Sequence, residues 1–238
     1  MDVSKRLPLK VYETAGVGRV AWPITQGIPF ADGQLRRGAQ VSVIDGTGTP
    51  LPTQATCLAT WNKECAWVKW LLIDFQCDLA AGETKELFVE YGQGVEPPPP
   101  TLPVSVARHN RRTRIDTGKL RLELRHNSPD FLAACCVLSA DGWRNILRGG
   151  PGPHLYLSET DGTVYDSVSA APSSRLAVED EGPLRASVAI KGYHATFQGI
   201  HLCPYTLRIH LYAGKRRGLP NRPSPQASTN RPSIPSYK

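Results

Sequence analysis

The chain has 238 residues, 40% hydrophobic and 21% charged, with 21 Gly and 21 Pro; this composition excludes wholesale disorder and long helices and favours a turn-rich β protein. No stretch approaches the roughly 18 consecutive apolar residues of a membrane-spanning helix. Of the net charge of +7, five units come from the acid-free end Arg216–Lys238, so the basic balance argues little for a nucleic-acid surface on the rest of the chain.

In chain order, Leu9–Glu13 reads as a short strand and Gly16-Val17-Gly18 as a turn. Val41–Ile44 runs into Asp45-Gly46-Thr47-Gly48, a hairpin signal because glycine tolerates positive φ, and Thr53–Trp61 is the returning strand. Trp67–Phe75 is the most apolar segment; it is short for a helix and rich in β-formers, which predicts a buried strand. After the turn Ala80–Glu83, Lys85–Tyr91 places Leu87, Val89 and Tyr91 on one face. So many short strands over residues 7–94 suit a small barrel.

Residues 95–103 contain four consecutive prolines, Pro97–Pro100, and form an extended linker between domains. Beyond it, Leu120, Leu122 and Leu124 alternate with charged residues, the mark of a half-buried strand. Phe131–Leu138 and His154–Leu157 are further strands, ended by Ala140-Asp141-Gly142 and Thr160-Asp161-Gly162. Leu184, Ala186, Val188 and Ile190 share one face, as do Leu207, Ile209 and Leu211. Residues 104–215 therefore predict an antiparallel β-sandwich, and 216–238, rich in Pro, Ser and Arg, a disordered tail.

The candidate chemistry is sparse. On the strand Tyr205–Tyr212 the face opposite the leucines carries Arg208, His210 and Tyr212, a set that suits an anionic sugar because arginine pairs with carboxylate; the same pattern also describes an ordinary exposed strand face. Glu179-Asp180-Glu181 reads as a solvated turn, since neighbours on an extended chain do not converge. Arg108, Arg111, Arg112 and Arg114 form a basic cluster able to contact phosphate, but no aromatic interleaves it and no nucleic-acid partner is expected. Trp61, Trp67 and Trp70 could stack on sugar rings; Trp67 and Trp70 face opposite ways on a strand, so one of them is expected in the core. The six His lack metal-ligand spacing and the six Cys lack a C-x-x-C pair, so no metal and no cofactor is expected and the thiols read as free. No leader precedes an apolar core at Met1–Lys10; the expected location is cytoplasmic if Met1 is the true start and secreted if upstream sequence is missing. No membrane partner is expected, and the oligomeric state stays open.

Three stretches of the first block carry a resemblance: Pro23-Ile24-Thr25-Gln26-Gly27-Ile28-Pro29-Phe30; Asp45-Gly46-Thr47-Gly48-Thr49-Pro50-Leu51-Pro52-Thr53-Gln54; and Trp61 followed by Trp70-Leu71-Leu72-Ile73-Asp74-Phe75. In the second block the corresponding stretches are Ile115-Asp116-Thr117-Gly118-Lys119-Leu120, Glu181-Gly182-Pro183-Leu184-Arg185-Ala186 and Leu207–Gly214. In this order and spacing they resemble the exo-rhamnogalacturonan lyase family over Leu7–Lys215. The chain departs from the family at Asn62-Lys63-Glu64-Cys65, where many members have a D-G-S-like stretch.

The resemblance implies a RIFT-type β-barrel followed by a central β-sandwich, here incomplete, with the family's α/α-toroid and its lyase cleft absent. No catalytic residue carries over. The function implied is an accessory, non-catalytic amino-terminal portion of a pectin lyase-like protein with a rhamnogalacturonan-type polysaccharide as partner. The alternatives are an active polysaccharide lyase working by β-elimination and a stand-alone carbohydrate-binding or adaptor module.

Overall fold

The computed structural model describes residues 4–62, 66–128, 130–147, 155–169, 175–216 and 226–228. All regular structure among them is β. His154, Cys65, most of the loop Asn62–Cys65 and most of the segment 216–238 lie outside the described residues. The chain divides into two compact units: residues 1–100 with the terminal strand Gln226–Ser228, and residues 101–220.

The first unit contains β1 (Lys5–Tyr12), β2 (Arg19–Pro29), β3 (Val41–Ile44), β4 (Pro50–Leu51), β5 (Thr53–Thr60), β6 (Val68–Leu79) and β7 (Thr84–Tyr91). The second contains β8 (Ser105–His109), β9 (Arg112–Asp116), β10 (Leu120–Arg125), β11 (Leu132–Ser139), β12 (Gly142–Asn145), β13 (Tyr156–Ser158), β14 (Val164–Asp166), β15 (Arg175–Glu181), β16 (Arg185–Ala195) and β17 (His201–Tyr212). The terminal strand is β18 (Gln226–Ser228).

In the first unit one sheet has the order β18-β1-β7-β3-β4 and the other β2-β6-β5. Alternation explains the shared core. Leu9 and Val11 of β1, Leu87 and Val89 of β7, and Ile73 and Phe75 of β6 are each at most 1% exposed and form one apolar cluster. The burial also pushes the Cys77 thiol up to about 11. Cys57, Cys77, Cys135, Cys136 and Cys203 are free thiols.

A polar lock closes one end of this unit. Glu13 is 4% exposed, and its carboxylate accepts the backbone N–H groups of Ala15, Val17 and Gly82 and an Nε–H bond from Arg19, all at 3.0–3.1 Å. The N–H of Gly82 and its companions hold the carboxyl down at about 2.

β2, which carries Pro23 and Pro29, was not among the strands read from the sequence. It lies at the edge of its sheet, where a missing N–H is tolerated. Beyond Arg216 only Gln226–Ser228 is described, as β18, paired antiparallel with Lys10–Tyr12 of β1.

The second unit is a β-sandwich. One sheet, β12-β11-β10-β9-β8, is a chain of successive hairpins; the other runs β13-β14-β16-β15, with β17 on the free side of β16. Ile115, Leu122 and Leu124 of the first sheet and Ala186, Val188, Ile190 and Leu211 of the second meet in its core. Gly214 N–H to Thr117 C=O (2.8 Å) and Val104 N–H to Pro183 C=O (2.8 Å) tie the two sheets at their ends.

Candidate functional site

The strands β15, β16 and β17 carry the residues singled out by sequence. Register pairs Ala189 with Arg208, Ser187 with His210 and Arg185 with Tyr212, so the three candidates do share the face opposite the sandwich core. That face is not a bare cationic surface. Arg208 donates from Nε (2.8 Å) and a terminal nitrogen (3.1 Å) to the two oxygens of Glu179, a fork-to-fork pair. Arg185, 6% exposed, forms an ion pair with Asp180.

The acidic trio is thus strand rather than a solvated turn. A bulge at Glu179 lets register step from Val178↔Val188 to Asp180↔Ser187, so two consecutive carboxylates reach the two arginines of one face. Glu181 at the strand end pairs with Arg108. Pairing with Arg208 holds the Glu179 carboxyl below its usual range, and the Arg208 guanidinium is raised in return.

His210 is half-buried between these pairs. Its Nδ1 is buried with no hydrogen-bond partner among the described residues. Burial, and then the nearby Arg185 charge, pull the imidazole below its ordinary value, against smaller opposing effects of Glu179 and Asp180. The imidazole is therefore neutral at neutral pH. Chemically, the face offers one uncharged imidazole set among neutralised cations.

The three candidate tryptophans, Trp61, Trp67 and Trp70, sit in the first unit. Trp61 and Trp70 are 42% and 43% exposed and Trp67 is half-buried; none of the three joins the buried core, contrary to expectation. Trp61 is fixed by an Nε1–H bond to the Phe30 carbonyl (3.0 Å), and Lys69 Nζ lies 4.8 Å from its ring centre. The Arg36 guanidinium lies 4.9 Å from the Trp67 ring. Trp70 packs across Gly27 of the neighbouring strand. The three rings thus have separate attachments. Among the described residues no cluster of three or more His, Cys, Asp or Glu is placed to hold a metal ion, and no helix is long and apolar enough to cross a membrane.

Residues 104–217 match the family described as PcRGLX-like protein central beta sandwich domain. The second unit is thereby similar to that central β-sandwich domain. The chain is also 23% identical over 211 residues to the uncharacterized protein YetA of Bacillus subtilis (strain 168). That match covers 86% of this chain and 23% of YetA, so the chain spans under a quarter of that relative's length. Among solved structures, a protein in glycosyl hydrolase family 38 from Enterococcus faecalis aligns with a TM-score of 0.50 at 10% identity, over 88% of this chain and 30% of that one. This last likeness concerns fold alone.

Proposed function

We propose that the chain is a carbohydrate-associated, non-catalytic accessory portion of a rhamnogalacturonan lyase-like protein, its first unit corresponding to the family's RIFT-type barrel. The match of residues 104–217 to the central sandwich carries this reading. The geometry agrees with it. β-Elimination at a galacturonate needs cations free to stabilise the developing enolate, whereas Arg208 and Arg185 are already held by carboxylates of their own sheet. The test is electrophoresis of the full chain through a gel containing rhamnogalacturonan, with the ultraviolet absorbance of unsaturated uronate followed in parallel. Retardation without new absorbance is expected, and sustained product formation overturns the reading.

One observation favours a second reading, an active lyase. An uncharged imidazole with an unengaged Nδ1 is the form a general base requires, and His210 has it. On that reading Arg208 and Tyr212 flank the substrate, and His210→Gln abolishes turnover. Unchanged turnover in His210→Gln removes it.

A further inference from the structure

The basic cluster of the sequence separates into paired and unpaired members in the fold. Arg108 is bound by Glu181, while Arg112 and Arg114 share Glu123 at 3.3 and 3.4 Å. Arg111, in the two-residue turn between β8 and β9, has no ion pair among the described residues. It lines a groove of about 680 Å³ inside the second unit, within the roughly 300–1,000 Å³ range of small-ligand sites. His109, Arg111 and Arg112 line the groove from the β8–β9 hairpin, and Arg125, the last residue of β10, lines it with His126 and Asn127 just beyond. Arg125 is neutralised by Asp130, and no carboxylate lines the groove among the described residues. Arg111 therefore leaves it with a net positive charge.

The two turns are fastened together. The His126 N–H donates to the Arg111 carbonyl (2.8 Å), and the His126 Nε2 is 2.7 Å from the hydroxyl of Thr113, which is fully buried. Asn110 and Asn127 both take left-handed backbone, at φ 53° and 52°, a conformation asparagine tolerates better than most residues. Arg111 is thus presented from a fixed backbone, which reduces the ordering cost of binding. The two asparagine amides in the lining can each donate to and accept from hydroxyl groups. No Trp, Tyr or Phe lines the groove among the described residues, so it lacks the stacking surface that single-stranded nucleic acid uses. A planar cation beside amides matches a carboxylate on a polyhydroxy ring.

We propose that this groove is a subsite for a uronate residue of an acidic polysaccharide, with Arg111 receiving the carboxylate. The inference rests on the carbohydrate-associated reading above and places the acidic sugar on the opposite sheet from Arg208, His210 and Tyr212.

The experiment is calorimetric titration of the full chain and of Arg111→Ala and Arg111→Lys. The titrants are a rhamnogalacturonan oligosaccharide, the same oligosaccharide with its carboxyls reduced to alcohols, and a single-stranded DNA oligomer of similar charge. Circular dichroism confirms that the variants, changed at an exposed turn, remain folded. The expected result is binding of the acidic oligosaccharide that weakens as salt rises, with a loss of about tenfold or more on carboxyl reduction and in Arg111→Ala and a smaller loss in Arg111→Lys. If the wild-type chain binds the acidic oligosaccharide but Arg111→Ala binds it equally, or the reduced oligosaccharide binds equally, the subsite assignment fails and the carbohydrate reading stands. If the wild-type chain binds neither oligosaccharide, both fail. Tighter binding of DNA than of the acidic oligosaccharide overturns the proposal in favour of a nucleic-acid site.

Discussion

Replacing Gly27 by alanine should change stability with opposite sign in two backgrounds. A methyl group at Gly27 would lie 2.6 Å from Trp70 Nε1 and 3.1 Å from Cε2, so the indole must move off the strand. Trp70 is 43% exposed, which leaves it room to swing. If the ring gives up on the order of 100 Å² of its covered area, the loss is about 2.5 kcal/mol. Gly27 has no positive φ, so alanine gains about 0.5–1 kcal/mol there from reduced chain entropy. The net destabilisation of Gly27→Ala is then about 1.5–2 kcal/mol. In a Trp70→Ala background the steric conflict is gone, and the same change should stabilise by about 0.5–1 kcal/mol. Equilibrium urea unfolding followed by circular dichroism, run as a double-mutant cycle, measures both steps. The same sign in both backgrounds would refute the argument that the ring's passage across the glycine fixes the residue there.

Glu13→Gln should destabilise the protein at neutral pH. The wild-type advantage should be fully present above the ordinary carboxyl value of 4.5 and vanish as pH falls through about 2, because the folded carboxyl is depressed. Urea midpoints across that range check the slope, and a pH-independent difference contradicts it. Ile73→Ala, fully buried in the first core, should cost about 2–5 kcal/mol. Phe197→Ala, at a side chain 97% exposed, should cost less than about 0.5 kcal/mol. Urea unfolding ranks the two, and comparable losses would contradict the burial assignment.

What the sequence shows, and what it hides, follows from where each pattern is generated. β7, β10 and β16 were legible because one face of each meets an apolar core, and burial on one face imposes a period of two. β8 and β9 were hidden by their outward arginines, which drew the reading to charge rather than to the inward Thr113 and Ile115. β15 was hidden because its alternation slips by one residue at the bulge. Within the candidate site, the shared face of Arg208, His210 and Tyr212 was readable from spacing alone. Their counter-ions were not, since Glu179 lies 29 positions from Arg208 and is brought to it across β16. The same holds for the groove at Arg111: local sequence supplies the arginines, but sheet order decides which of them keep a free charge.

The extra residue in β15 also sets where this chain can change length. Deleting Glu179 would leave Val178 opposite Val188 and Asp180 opposite Ser187, a regular ladder that loses one exposed ion pair. Deleting Ala189 from β16, one strand away, would bring Ile190 to the outward position and carry Lys191 toward the apolar layer occupied by Leu176 and Leu211. Two neighbouring strands thus respond in opposite ways to the loss of a single codon, one tolerant and one not.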